Sequence, residues 1–140
     1  LIYAGTTEKI EKEEHQMKKV VRTDKAPNPV GPYSQGLICG KRVYVSGQGP
    51  FNPETGTKPE GVAEQTRQTL KNVRAILEAA GASMDHVVKV TVHLQEVTKD
   101  FRAFNEVYRE FFNEPFPVRT TVGSDLLDIL VEIDVIAELD

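Results

Sequence analysis

The sequence predicts an α+β fold, one β-sheet with two helices packed on one of its faces. Three observations lead there. Two segments repeat apolar residues with a 3.6-residue period, giving each a single buried stripe. Two others alternate apolar and polar residues, the mark of strands with one core face. The elements follow in the order β-β-β-α-β-α-β-β, and one sheet covered on one side by both helices is the economical layered solution.

Val20-Val21-Arg22 is the first strand candidate. The prolines of Ala26-Pro27-Asn28-Pro29-Val30-Gly31-Pro32 then force extended or turn geometry. Leu37-Ile38-Cys39 and Val43-Tyr44-Val45-Ser46 flank Gly40-Lys41, a hairpin signal. Residues 51–60, polar with proline and glycine, read as a loop. A helix from about Gly61 to Ala80 carries Val62, Thr66, Leu70, Val73, Ile76, Leu77 and Ala80 on one stripe, with Gly81 as its left-handed cap. Val88, Val90, Val92 and Leu94 form the core face of a strand. Thr98 is placed as cap of a second helix from Phe101 to about Phe112, with Phe101, Phe104, Tyr108 and Phe111 on its stripe and Val107 beside it. Pro115 and Pro117 stop it. The strand Phe116-Pro117-Val118-Arg119-Thr120-Thr121-Val122-Gly123 follows, and a last strand runs from Leu130 to Glu138 with Val131, Ile133, Val135 and Ala137 on its core face.

Residues 20–140 make one domain, and 140 residues suffice for a substantial core. Residues 1–19 (LIYAGTTEKIEKEEHQMKK) are charge-rich and aperiodic; they read as an extension ahead of a native start at Met17, or as residues foreign to the native protein. Nothing in them reads as a secretory signal, so a cytoplasmic location is expected. One cysteine, Cys39, supplies neither a disulfide nor a multi-thiolate metal site. The three histidines, His15, His86 and His93, have no metal-ligand spacing, so no metal is expected. A net charge of -4 argues against a general nucleic-acid surface.

Along the strand of residues 116–123, Val118, Thr120 and Val122 share one face and are assigned to the core. Arg119, Thr121 and Gly123 share the other, assigned to an open face with Glu132, Asp134, Thr91 and His93, and with the apolar Leu130 and Ile136. A half-polar open face suits a closed homo-oligomer with sites between subunits. Arg119 can grip a carboxylate through two parallel hydrogen bonds, and Thr121 can add a donor; the competing account is a plain ion pair with Glu132 or Asp134. Glu132 is the candidate proton-transfer group, or else a solvated strand carboxylate. Tyr33, held in a turn by Gly31-Pro32, can bond substrate or water, or simply pack at an edge. Gly47 can present backbone to a ligand, and Asn105 can reach a pocket from the second helix; a turn glycine and a surface amide are the plain alternatives.

The motifs GPYSQG (31–36), VSGQGPFNPETG (45–56), QTLKNVRAILEAAG (68–81), VVKVTVHL (87–94), PVRTTV (117–122) and VEIDVIAEL (131–139) together resemble the Rid family, the YjgF-type reactive intermediate deaminases also known as L-PSP endoribonucleases or translation inhibitors. The resemblance covers about residues 20–139. It implies a chorismate-mutase-like fold (bacillus type), assembled as a homotrimeric barrel with helices outside and ligand sites at subunit interfaces. It implies hydrolysis of 2-imino acids to 2-keto acids and ammonia, with no metal or cofactor. On matching motifs, Arg119 corresponds to the carboxylate-gripping arginine, Tyr33 and Glu132 to residues that orient substrate and water, and Gly47 and Asn105 to further pocket positions. Thr121 stands where many members have cysteine, and the connection from Val122 to Val131 is shorter than in several. The rival functions are RNA cleavage, which the charge and the lack of a histidine pair disfavour, and a non-catalytic trimer that binds small carboxylates.

Overall fold

Alternation builds the sheet and helical periodicity builds the layer above it. The computed structural model describes residues 18–140. Its strands are β1 (Lys18–Val21), β2 (Gly36–Cys39), β3 (Arg42–Gln48), β4 (Val87–Leu94), β5 (Val118–Gly123) and β6 (Val131–Glu138), and its helices are α1 (Val62–Ala79) and α2 (Val97–Arg109). The six strands form one sheet in the order β1-β2-β3-β6-β4-β5. Only β4 and β5 run parallel, and α2 supplies the crossover that a parallel pair requires. The first strand starts at Lys18, two residues before the expected Val20, so Lys18 and Lys19 belong to the domain; the rest of the expected extension lies outside the described residues.

The α1 stripe buries Val62, Thr66, Leu70, Val73, Ile76 and Leu77, as its period demands. Gly81 ends it at φ 80, a left-handed conformation that only glycine adopts without strain. Buried Asn72 donates to the carbonyls of Gly49 and Phe51, each at 2.9 Å, and so ties the loop after β3 to the helix. The second helix departs from expectation at both ends. It starts at Val97, so Thr98 lies inside it and caps nothing, and it stops at Arg109. Asp100, Phe104, Val107 and Tyr108 are its buried residues, while Phe101 is exposed. No helix among the described residues is long and apolar enough to cross a membrane.

Register decides which face each strand residue takes. Val45, Val135, Val90 and Arg119 lie opposite one another across β3, β6, β4 and β5. The three valines are buried in the core, so Arg119 shares the helix-covered face. The row beside it, Val20, Leu37, Tyr44, Ile136, Lys89 and Val118, is on the open face. This reverses the faces expected for β5. Val118 is 67% exposed on the open side, with Thr120 also exposed, whereas Arg119 and Thr121 turn toward α2. Gly123 turns the same way, since a Cβ there would meet Val97 of α2 at 2.9 Å. One further residue is out of phase. Val88 is exposed because the register slips between Val87 and Lys89, and Val87 takes the buried position. Glu132, Asp134, Thr91 and His93 do occupy the open face, with only partial burial.

Candidate functional site

The turned-in β5 places Arg119 beneath the aromatic face of α2. Its guanidinium carbon lies 4.6 Å from the ring centre of Tyr108, 5.4 Å from that of Phe104 and 5.9 Å from that of Phe101. These contacts hold the cation in place, each worth about 0.5–2 kcal/mol. They also shield it partly from water, which strengthens any charge pairing there. Among the described residues Arg119 makes no ion pair, so the partnership with Glu132 or Asp134 weighed above does not form. The cation looks instead into a cavity of about 300 Å³, lined by Asn105, Tyr108, Arg109, Phe116, Pro117 and Arg119. That size is at the small end of ligand sites, which span roughly 300–1,000 Å³.

Two of the lining residues carry buried polar atoms without a partner among the described residues, the Tyr108 hydroxyl and Asn105 Oδ1; Thr121 Oγ1, on the same strand face as Arg119 but outside the cavity lining, is another. Leaving such a group unsatisfied costs about 1–3 kcal/mol, so a polar ligand in the cavity recovers a penalty already built into the fold. Burial pushes the Tyr108 phenol up to about 12, with the Arg119 charge opposing that rise, so it is a neutral donor at physiological pH. Tyr108 is the residue that sequence reasoning missed. It reads as one more apolar position on the stripe; the signal was a hydroxyl where phenylalanine would pack as well, one turn after Asn105. Tyr108→Phe keeps the ring and deletes the unpaired hydroxyl. It is expected to raise stability by about 1 kcal/mol, or Tm by about 2–4 °C for a chain of this size. A lower melting temperature in calorimetry would mean that the hydroxyl already has a partner.

Three other candidates lie elsewhere. Glu132 is on β6 opposite His93, on the open face. Gly47 sits directly over it, since a Cβ on Gly47 would lie 3.0 Å from Glu132 Cδ. Glycine is therefore what allows the carboxylate to cross β3. Nearby on β6, burial raises the Asp134 carboxyl above its ordinary range, against the pull of His93 and Lys89. His93 Nδ1 is 2.6 Å from Ser124 Oγ. Tyr33 stands in the loop before β2, and its hydroxyl oxygen accepts the Val30 N–H at 3.1 Å, which leaves its own O–H to donate. Two hidden anchors fix that loop. Buried Gln35 donates to the carbonyls of Thr23 and Pro27 and accepts from the Thr23 N–H at 2.8 Å. Ser46 donates to the Ser34 carbonyl.

A single chain thus brings Arg119 and Asn105 to one cavity on the helix side of the sheet, with Thr121 on that same side, and Gly47 with Glu132 on the open side, and it does not bring the two groups together. A larger cavity, about 560 Å³, lies between α1 and the β5–β6 connection. Apart from Glu60, its polar side chains are engaged within the chain. Gln65 accepts from Leu130 at 2.8 Å and donates to Pro59 at 3.0 Å, Gln95 accepts from Leu126 at 2.6 Å, and Lys58 pairs with Asp128 at 2.9 Å. Of the two, the smaller cavity is the one whose lining residues carry buried side-chain atoms without partners.

Residues 23–139 match the family model described as Endoribonuclease L-PSP. The chain is 48% identical over 124 residues to the RutC family protein PH0854 of Pyrococcus horikoshii, covering 86% of this chain and 98% of that protein. It is 44% identical over 126 residues to the 2-iminobutanoate/2-iminopropanoate deaminase of Escherichia coli K12, covering 86% and 98%. Among solved structures, Escherichia coli TdcF with bound serine superposes with a TM-score of 0.83 at 41% identity, covering 88% of this chain and all (100%) of that one.

Proposed function

The chain belongs to the endoribonuclease L-PSP family, which includes the reactive intermediate deaminases, and from that premise we propose that it hydrolyses 2-imino acids to 2-keto acids and ammonia. The observation that carries the proposal is Arg119, a guanidinium stacked on Tyr108 and facing a small cavity whose lining, like the guanidinium itself, has polar groups left without partners among the described residues. Such a group recognises a small planar carboxylate. A relative named for this activity and a structural neighbour that holds serine, itself a small carboxylate, support the choice of substrate class.

In the proposed reaction Arg119 fixes the carboxylate and so aligns the C=N carbon. Water adds to that carbon, its proton passing to a base, and the tetrahedral carbinolamine collapses with loss of ammonia to leave the ketone. Fixing both partners removes much of the entropic cost of attack. Glu132 is the proposed base and Tyr33 the proposed donor, with Asn105 and Thr121 bonding the substrate and Gly47 leaving room for Glu132. The chemistry calls for no metal or cofactor. Since Glu132 and Arg119 face opposite sides of their own sheet, the reading includes a homotrimer in which the open face of one subunit meets the β5 edge of the next. Exposed Val20, Val88 and Val118 on the open face give such an interface apolar area.

The test couples an imine-generating amino-acid oxidase or dehydratase to capture by semicarbazide. The protein is expected to divert imine from semicarbazone to keto acid, and Arg119→Ala is expected not to. Equal semicarbazone yields with and without the protein, across several imines, would remove the deaminase reading, and degradation of a labelled RNA by the same preparation would replace it with cleavage. Gly47→Ala probes the other half of the site. The neighbouring carboxylate must shift by a few tenths of an ångström. Against a cost of roughly 100-fold per ångström of misplacement, kcat is expected to fall about tenfold with KM nearly unchanged. An unaltered kcat would take Glu132 out of the chemistry.

A further inference from the structure

The cavity in front of Arg119 has a second cation. Arg109, in the last turn of α2, lines it too, four residues after Asn105 and so on the same side of the helix. Among the described residues Arg109 makes no ion pair, although Glu106 precedes it by one turn and Glu110 is its neighbour. Glu110 is taken by Arg67 at 2.9 Å. Among the described residues no acidic side chain lines the cavity. Two arginines of one chain therefore line one space of about 300 Å³ in which that chain supplies no carboxylate, and a monocarboxylate pairs with only one of them.

Resting on the deaminase reading, we infer that the preferred substrates are 2-imino dicarboxylates. Arg119, enclosed by aromatic rings, takes the carboxylate next to the imine, and the exposed Arg109 takes the side-chain carboxylate at the cavity mouth. Phe116 and Pro117 line the space for the methylene carbons, and unpartnered Asn105 Oδ1 accepts the imine N–H. A planar guanidinium matches each carboxylate through paired hydrogen bonds.

The test is calorimetric titration of the full-length protein with 2-oxoglutarate and with 2-oxobutanoate, in wild type, Arg109→Ala and Arg109→Lys. Wild type is expected to favour the dicarboxylate about tenfold, and that ratio is expected to shrink toward one in Arg109→Ala and to recover partly in Arg109→Lys. The preference is also expected to weaken with added salt, as a partly exposed charge pair does. The corresponding imines are compared by kcat/KM under the same conditions, with the same change in ratio expected. A wild type that binds both keto acids equally, binds neither, or keeps its preference in Arg109→Ala would overturn the inference. Binding without turnover would instead count against the deaminase reading, and the binding ratio would still judge Arg109.

Discussion

Arg119→Ala is expected to leave the sheet and both helices intact and to abolish measurable affinity for 2-keto acids. The folded chain loses no ion pair, because Arg119 makes none among the described residues. It loses the contacts with the rings of Tyr108, Phe104 and Phe101, about 0.5–2 kcal/mol each and not additive, and Tm is expected to fall by at least about 2–4 °C. The ligand loses far more. Removing one partner of an enclosed charge pair costs about 2–5 kcal/mol, or roughly thirty- to several-thousand-fold in affinity. Arg119→Lys separates charge from geometry, since it restores the cation but not the paired donors, and an affinity between the two is expected. Calorimetric titration with 2-oxobutanoate checks both variants, with circular dichroism as the control for folding. Wild-type affinity in a folded Arg119→Ala protein would place the carboxylate elsewhere.

Phe104→Ala is expected to have the largest effect on stability. Its ring is fully buried, lies 5.6 Å from that of Tyr108, and is one of the three that surround Arg119. Deleting a buried phenylalanine ring costs about 3–5 kcal/mol in transfer and cavity terms, a drop of about 6–20 °C in Tm at this chain length. The wall of the arginine pocket collapses or fills with water at the same time, so affinity is expected to fall even where the variant stays folded. Phe104→Leu restores most of the volume and is expected to recover most of the stability but less of the affinity. Equal recovery of both would show that the ring matters as bulk and not as a surface for the cation.

Much of the architecture was legible because it rests on periodicity. Leu70, Val73, Ile76 and Leu77 mark a helix wherever they occur, and Val131, Ile133, Val135 and Ala137 mark a strand with one buried face. The orientation of β5 was not legible, for a physical reason. In Val118-Arg119-Thr120-Thr121-Val122 the apolar side chains belong to the uncovered face, and the guanidinium goes inward under aromatic rings that neutral reasoning treats as core. Alternation shows that a strand has two faces, and only pairing with β4 shows which one lies under α2. The phase slip at Val88 was hidden likewise, since Val87 and Val88 are both valines and their identity does not say which of the two is buried. Arg119 and Asn105 were named from chemistry and meet in one cavity. Tyr108 was concealed by its own packing, because an aromatic on a buried stripe explains itself without its hydroxyl.

The sheet holds Arg119 on one side and Glu132 on the other. In the trimeric reading, catalytic competence then belongs to a population and not to a molecule. On that reading, dilution would disarm every chain without unfolding any. Two lineages of the protein, one damaged at the grip and one at the base, can mend each other merely by being made in the same cell. Selection acting on either half is felt first by a neighbour, which gives both halves reason to change together although no bond within the chain connects them.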